Sequence, residues 1–320
     1  MIRSASPQSE VRSKRRCATM DDRILRGEPE PTPLSTPRSH SLPARFHRTY
    51  WNDRGSLEWQ SQDGVAFKIQ PTLLYDALPK LQLEDRALSR ASARLNFLPA
   101  TTAEIILDLI YSVETSQLSD SCEVLGAMAF CKRYGGEVLV DTLRPYAIRG
   151  TDKERSGHYA IWSFTLGDDL RDLELLRAGA RASLRIADLT TNLSRGYFDS
   201  KPVSPPAIIA LTRIHLNRIN AAHILLTSSS TLASTTASHE TSCPTFAALR
   251  TSWSSALLSL RRTVGPDFDP SILLVHSSLF GNEGPQCEDC RKSVEKAVEM
   301  MQEKWRKVPD GSELEPTWWR

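Results

Sequence analysis

Along residues 57–69 polar and apolar positions alternate. Leu57 and Trp59 are interleaved with Glu58 and Gln60, and Val65, Phe67 and Ile69 with Ala66 and Lys68. A period of two places one face of an extended strand on a core. Asp63-Gly64 lies between the two runs. Both residues tolerate positive φ, so the pair predicts a tight β-hairpin turn.

Beyond Ile69 the period lengthens to that of helices. Pro71 suits a first helical turn and predicts a short helix to Leu78. Charged Glu84–Arg94 reads as a loop with a helical turn, and Asn96–Pro99 as a third short strand. Thr101 and Glu104 are spaced as a capping box ahead of Ile105, Ile106, Leu109 and Ile110. Leu107 adds a second apolar side, so that helix is expected to be buried on most faces. A helix from near Asp120 carries Val124, Leu125, Met128 and Ala129 and stops at Tyr134, before Gly135-Gly136. Another runs from Glu137 to Arg144, where Pro145 is expected to interrupt it. His158–Leu193 reads as two helices broken at Gly167, the second striped by Leu170, Leu173, Leu176 and Ala180. Pro205-Pro206 opens a long helix, Ala207–Leu226. Two more follow, at Thr245–Thr263 and Glu288–Arg306.

Composition divides the chain further. Residues 1–45 hold six prolines and no periodic apolar pattern, and are expected to be a disordered basic tail. Residues 1–48 carry ten Lys/Arg against five Asp/Glu. The rest of the chain is slightly acidic, so its folded part is not a phosphate-seeking body. Arg12, Lys14, Arg15 and Arg16 form a basic knot, read as a solvated tail or a nuclear import signal. Eleven of the sixteen residues 227–242 are Ser or Thr, which predicts a flexible linker or long loop. The N-terminal residues hold no apolar run of the kind a secretory signal carries, so none is expected. Arg213, His215, Arg218 and His223 interrupt the most apolar stretch and would penalise a membrane span. An intracellular protein, in cytoplasm or nucleus, is the expectation.

The order of these pieces resembles a BTB/POZ domain, in particular the divergent kind found in mushroom-forming fungi. The residues that carry the likeness are the Asp63-Gly64-Val65-Ala66-Phe67-Lys68-Ile69 hairpin, the helix with Leu73 and Leu74, and the strand-like Leu95–Leu98. To these are added the Ile-Leu helix ending in Ile110-Tyr111 and the helix closing on Ala129-Phe130-Cys131-Lys132-Arg133-Tyr134. Gln70 stands where the family has His, and Asp76-Ala77-Leu78-Pro79 where it has Ser-Pro-x-Phe. The resemblance implies an α+β fold, a small sheet flanked by helices and followed by an all-helical extension. It implies residues 46–150 as the BTB-like domain and 151–226 as the extension. A 227–244 linker and a 245–320 helical segment follow. It also implies a protein–protein interaction module, an adaptor or scaffold that can self-associate through the hairpin edge and first helix, without catalysis. No cullin-contacting motif is visible near Ser119–Met128, so a cullin scaffold stays open as a partner.

Candidate chemistry is sparse. GxGxxG, GxxxxGK[ST], HExxH and GxSxG are all missing, and Gly281-Asn282-Glu283-Gly284 reads as a plain loop. Asp168-Asp169 reads as a helix N-terminus. His215 and His223 read as structural side chains of one helix. Trp318-Trp319 reads as a docking peptide or a fraying end. Cys287-x-x-Cys290 with His239-x3-Cys243 could in principle complete four zinc ligands. The 43 residues between Cys243 and Cys287, and the Ser/Thr tract around His239, favour reduced surface thiols instead. The expectation is therefore no metal and no cofactor. The competing class is a zinc-stabilised nuclear regulator contacting nucleic acid through the basic tail, although nucleic acid is not the expected partner.

Overall fold

Strands β2 (Leu57–Gln60) and β3 (Val65–Ile69) pair antiparallel, with Trp59 opposite Phe67 and Leu57 opposite Ile69. Trp59, Phe67 and Ile69 are buried, as the alternation predicts, but Leu57 and Val65 are only half-buried and Ala66, on the opposite face, is buried as well. The turn differs from the expected one. It spans Ser61–Gly64, with the Ser61 N–H donating to Val65 O and the Gly64 N–H to Ser61 O. Only Gly64 takes positive φ (80°). Asp63 is spared that geometry and does something else: its carboxylate accepts from the Ala100 N–H at 2.9 Å. The computed structural model describes residues 45–47, 49–50, 55–88, 98–113, 122–153, 157–186, 189, 204–229, 232, 239, 242–276, 279 and 287–319. The basic tail, Asn96 and Phe97, Ser119 and the 281–284 loop lie outside them.

A third strand comes from an unexpected place. β1 (Arg45–Phe46) adds to β3 in parallel, giving the order β1-β3-β2. Of the strand expected at Asn96–Pro99, Leu98 and Pro99 are described, and neither is in a strand. Leu98 instead offers its carbonyl to the Gln62 N–H.

Helices α1 (Pro71–Ala77) and α2 (Pro79–Leu88) follow. The charged run from Glu84 is thus helical through Leu88, because Pro79 opens a second helix. Helix α3 (Ala100–Ile110) starts one residue before Thr101, with Pro99 at its N-cap and no side-chain cap bond. The expected capping box is therefore absent, and Asp63 from the hairpin caps the first turn. Helix α4 (Cys122–Arg133) ends as expected: the Gly135 N–H donates to Lys132 O and the Gly136 N–H to Cys131 O, the paired bonds of a Schellman stop. Helix α5 (Glu137–Lys153) runs straight through Pro145. The Asp141 carbonyl that loses its N–H partner there lies on the solvent side, where water can replace it. The opposite side buries Leu139, Val140, Leu143 and Ala147.

Helices α6 (Gly157–Leu170) and α7 (Leu173–Ser183) form a tight pair. Gly167 is not the break between them. A Cβ there would lie 2.5 Å from Leu176 N, and one at Gly179 would lie 2.3 Å from Phe164 N. Both glycines exist so that the two backbones can touch. The break falls at Arg171, with φ 54°, and Asp172, whose carboxylate caps Leu175 N and pairs with Arg144. Asp168 and Asp169 consequently end α6 rather than begin a helix.

Helix α8 (Pro205–Ser228) is 24 residues long and is shared between cores. The first core gathers Tyr50, the sheet, α1–α5 and, past residue 150, Tyr159, Trp162, Leu166 and Leu175. A second joins Ala160, Phe164, Leu176 and Ala180 to Ala207 and Leu211 of α8. The third packs Ala222, Leu225 and Leu226 of α8 against α9 (Pro244–Arg261), a 3-10 turn at Pro270–Val275, and α10 (Glu288–Arg306). The fold is α+β and mostly helical. Among the described residues no helix is long and apolar enough to cross a membrane.

Two polar side chains are buried at the middle of α8. Arg218 donates to the carbonyls of Pro266 (2.7 Å), Val308 (3.1 Å) and Pro309 (3.3 Å), and lies over the Trp305 ring. The Ser183 hydroxyl donates to Ala180 O and so receives its bond from His215 Nε2–H, at 2.9 Å. Burial, and then the Arg218 charge, pull the His215 imidazole down to about 4, with Asp267 opposing. An unfolded imidazole titrates near ~6.5, so between these values the unfolded chain holds the extra proton. Stability is then complete above pH ~6.5 and falls as pH drops toward 4. We expect about 1–2 kcal/mol to be lost between pH 7 and pH 5, and His215→Gln to flatten that part of the curve in urea titrations. An unchanged slope in the variant would exclude His215 as its source.

Candidate metal centre

Two helix N-termini converge in the C-terminal core. Cys243 is the N-cap of α9, fixed there because Pro244 holds the first helical position. Cys287 is the N-cap of α10, and Cys290 lies in its first turn. Spacing by three brings Cys287 and Cys290 to one side of that turn. Partial positive charge at both helix starts favours thiolates.

His239 completes the group. Its Nε2 lies 3.3 Å from Cys290 Sγ and 3.6 Å from Cys287 Sγ, while Cys243 Sγ lies 3.7 Å from Cys290 Sγ. All four donor atoms are within 4.8 Å of one another. Cys290 is fully buried and the His239 side chain is 10% exposed. The outer ring nitrogen of His239 faces Asp289 Oδ2 at 3.8 Å, and its ring sits edge-on to Phe246.

The thiols differ in character. Bonds from the Thr245 hydroxyl first, and then from the N–H groups opening α9, pull Cys243 down to about 7. Burial pushes Cys290 up to about 11. Cys131, inside the first core, is pushed up to about 12 by burial, and among the described residues it joins no group of His, Cys, Asp or Glu donors. It is a packing residue.

The sequence separation that favoured loose thiols closes up because α9 and α10 pack in the third core with both their N-termini at the site. α9 runs away from the site, Thr263–His276 crosses over, and α10 begins back at it. The described residues of the Ser/Thr tract are held as well: Leu232 is buried in the third core, and the Ser229 carbonyl accepts from Trp253 Nε1. Two contributors escaped the sequence reading. Asp289 stands between the paired cysteines in Cys287-Glu288-Asp289-Cys290, and Thr245 lies two residues past Cys243. A carboxylate between the two cysteines was the available signal for the first, and none existed for the second.

The other sequence candidates fall elsewhere. His223 stays on α8, half-buried, and is not among the grouped donors. Asp168 is no free acid–base carboxylate. Its Oδ1 receives the indole N–H groups of Trp318 and Trp319, both at 2.7 Å, and its Oδ2 receives the Ser204 hydroxyl. The tryptophan pair is therefore docked rather than frayed. No protein-family model, curated protein or solved structure matches the chain significantly.

Proposed function

We propose that the chain is a protein–protein interaction module without catalysis, built on a BTB/POZ-like unit at residues 46–150 with a helical extension to 226. The observation that carries this reading is the order of elements around the first core: hairpin, α1–α2, α3, then the α4–α5 helical hairpin. The two tyrosines that sequence reasoning singled out sit at its joints. The Tyr111 hydroxyl accepts from the Gln70 N–H at 2.9 Å and ties the end of α3 to the start of α1. The Tyr134 carbonyl accepts from the Lys80 N–H and ties the end of α4 to the start of α2.

The partner is another protein, and a second copy of the chain is the first candidate. Phe46 at the sheet edge and Leu73 on α1 are apolar yet exposed at 54% and 38%, which suits contact surfaces near those a BTB-like dimer uses. The setting is intracellular, in cytoplasm or nucleus, and a cullin scaffold stays open as a further partner. The nucleic-acid reading has little support in the third core: Glu288–Lys292, Arg291–Glu295 and Glu303–Lys307 pair along α10, so its charged face is mixed in sign.

Light scattering on the full chain should give a dimer. Phe46→Asp combined with Leu73→Asp should weaken it about tenfold or more, with circular dichroism unchanged. A monomer at every concentration that also retains no partner in affinity purification would overturn the proposal.

A further inference from the structure

We propose that His239, Cys243, Cys287 and Cys290 bind one zinc ion as a closed structural site joining the starts of α9 and α10. This inference is independent of the BTB-like reading.

Geometry carries it. A tetrahedral zinc with bonds of about 2.3 Å to sulfur and 2.0–2.1 Å to nitrogen sets sulfur–sulfur edges of about 3.8 Å and sulfur–nitrogen edges of about 3.5 Å. The Cys243–Cys290 separation is 3.7 Å, and the two His239–sulfur separations are 3.3 and 3.6 Å. Among the described residues this is the one cluster of His, Cys, Asp or Glu donors able to hold a metal. Three thiolates and one imidazole are a soft donor set that selects zinc over hard cations. Four protein ligands leave no position for water or substrate, which marks a structural rather than a catalytic site.

A second observation concerns the histidine. Its Nε2 faces the sulfurs and its outer nitrogen faces Asp289. At that distance the carboxylate acts by charge: it favours a proton on the outer nitrogen and so leaves the Nε2 lone pair for the metal, the tautomer that a zinc-bound imidazole needs. Charge also balances sensibly. Zinc displaces the thiol protons to solvent, and one dication with three thiolates leaves a net single negative charge. Two helix N-termini point their positive ends at it.

The site explains the placement of His239. A tract rich in Ser and Thr has little apolar surface to bury, yet His239 is held nine-tenths covered beside Phe246. Coordination adds an anchor at His239 to those that Leu232 and Phe246 supply by packing.

The test is metal analysis of the full chain purified under reducing conditions without chelator or affinity metal. About one zinc per chain is expected, released by a thiol-modifying reagent and detected by a zinc dye. Cobalt exchanged into the site should give the intense visible bands of a tetrahedral centre and a near-ultraviolet thiolate charge-transfer band. Cys290→Ser and His239→Ala should each lower zinc to roughly a tenth per chain or less, whereas Cys131→Ser should retain it. His239→Cys should also retain it, since a fourth thiolate serves the same position. That variant separates ligand loss from misfolding. Metal-free protein after zinc supplementation, an iron–sulfur chromophore, or zinc retained in Cys290→Ser would each overturn the proposal.

Discussion

Gly179→Ala should lower stability by about 3 kcal/mol or more. The added methyl would sit 2.3 Å from Phe164 N and 2.7 Å from Phe164 Cα. Backbone cannot swing aside as a side-chain tip can, so α6 and α7 must separate. That opens the seam buried by Ala160, Phe164, Leu176 and Ala180. In a chain of 320 residues the loss is a fall of roughly 4–5 °C in Tm. Gly126→Ala on α4 is the matched control. Its methyl would meet Thr102 and Trp162 at 3.5 Å, an ordinary contact, and alanine favours the helix by about 0.5–1 kcal/mol. The two glycine substitutions should therefore shift the urea midpoint in opposite directions. Equal shifts would mean that α6 and α7 are not in backbone contact.

Arg218→Ala should cost about 3–4 kcal/mol. Three carbonyls, of Pro266, Val308 and Pro309, would lose their donor inside the protein. Trp305 would lose the guanidinium that covers its ring at 4.2 Å. Burial lowers the Arg218 pKa, with Asp310 and Asp267 opposing, and the group stays charged because its starting value is so high. Arg218→Lys should recover little, since a single ammonium cannot reach three carbonyls and stack as well. Hydrogen exchange is the sharper readout: protection at residues 305–308 should fall more than protection in the sheet. A loss under about 1 kcal/mol would place Arg218 among ordinary surface cations.

The hairpin, most of the helices and the fold class were legible because each rests on local periodicity, whereas α2 was read as a loop with a helical turn. Trp59 and Phe67 face the core for the same reason that they alternate with polar neighbours. The misreadings share a cause. Pro145 and Gly167 are local breaking signals, and both were overridden by packing: one is turned to solvent, the other pressed against a neighbouring backbone. Thr101 and Glu104 had the spacing of a cap, but a residue from a distant turn, Asp63, filled that place first. The metal donors were all named from the sequence. Their convergence was hidden, because 43 intervening residues reveal nothing about whether two helix starts meet. Arg218 was seen only as a charge and Asp168 as a helix start, since the carbonyls and indoles that satisfy them come from segments 48 to 151 residues away.

Helix α8 has a consequence for how the chain is made. Its first half is covered by residues already synthesised, Ala160, Phe164 and Leu176. Its second half, with Ala222, Leu225 and Leu226, is covered by α9 and α10, which end at Arg306. At about 5–20 residues per second, the ribosome needs roughly 4–16 s to deliver them. Over that interval an apolar stripe stands uncovered on a helix whose other end is already buried. A nascent chain at this stage is a natural client for a chaperone. For the same reason, fragments cut at the end of α8 should aggregate, whereas fragments that include α10 should not.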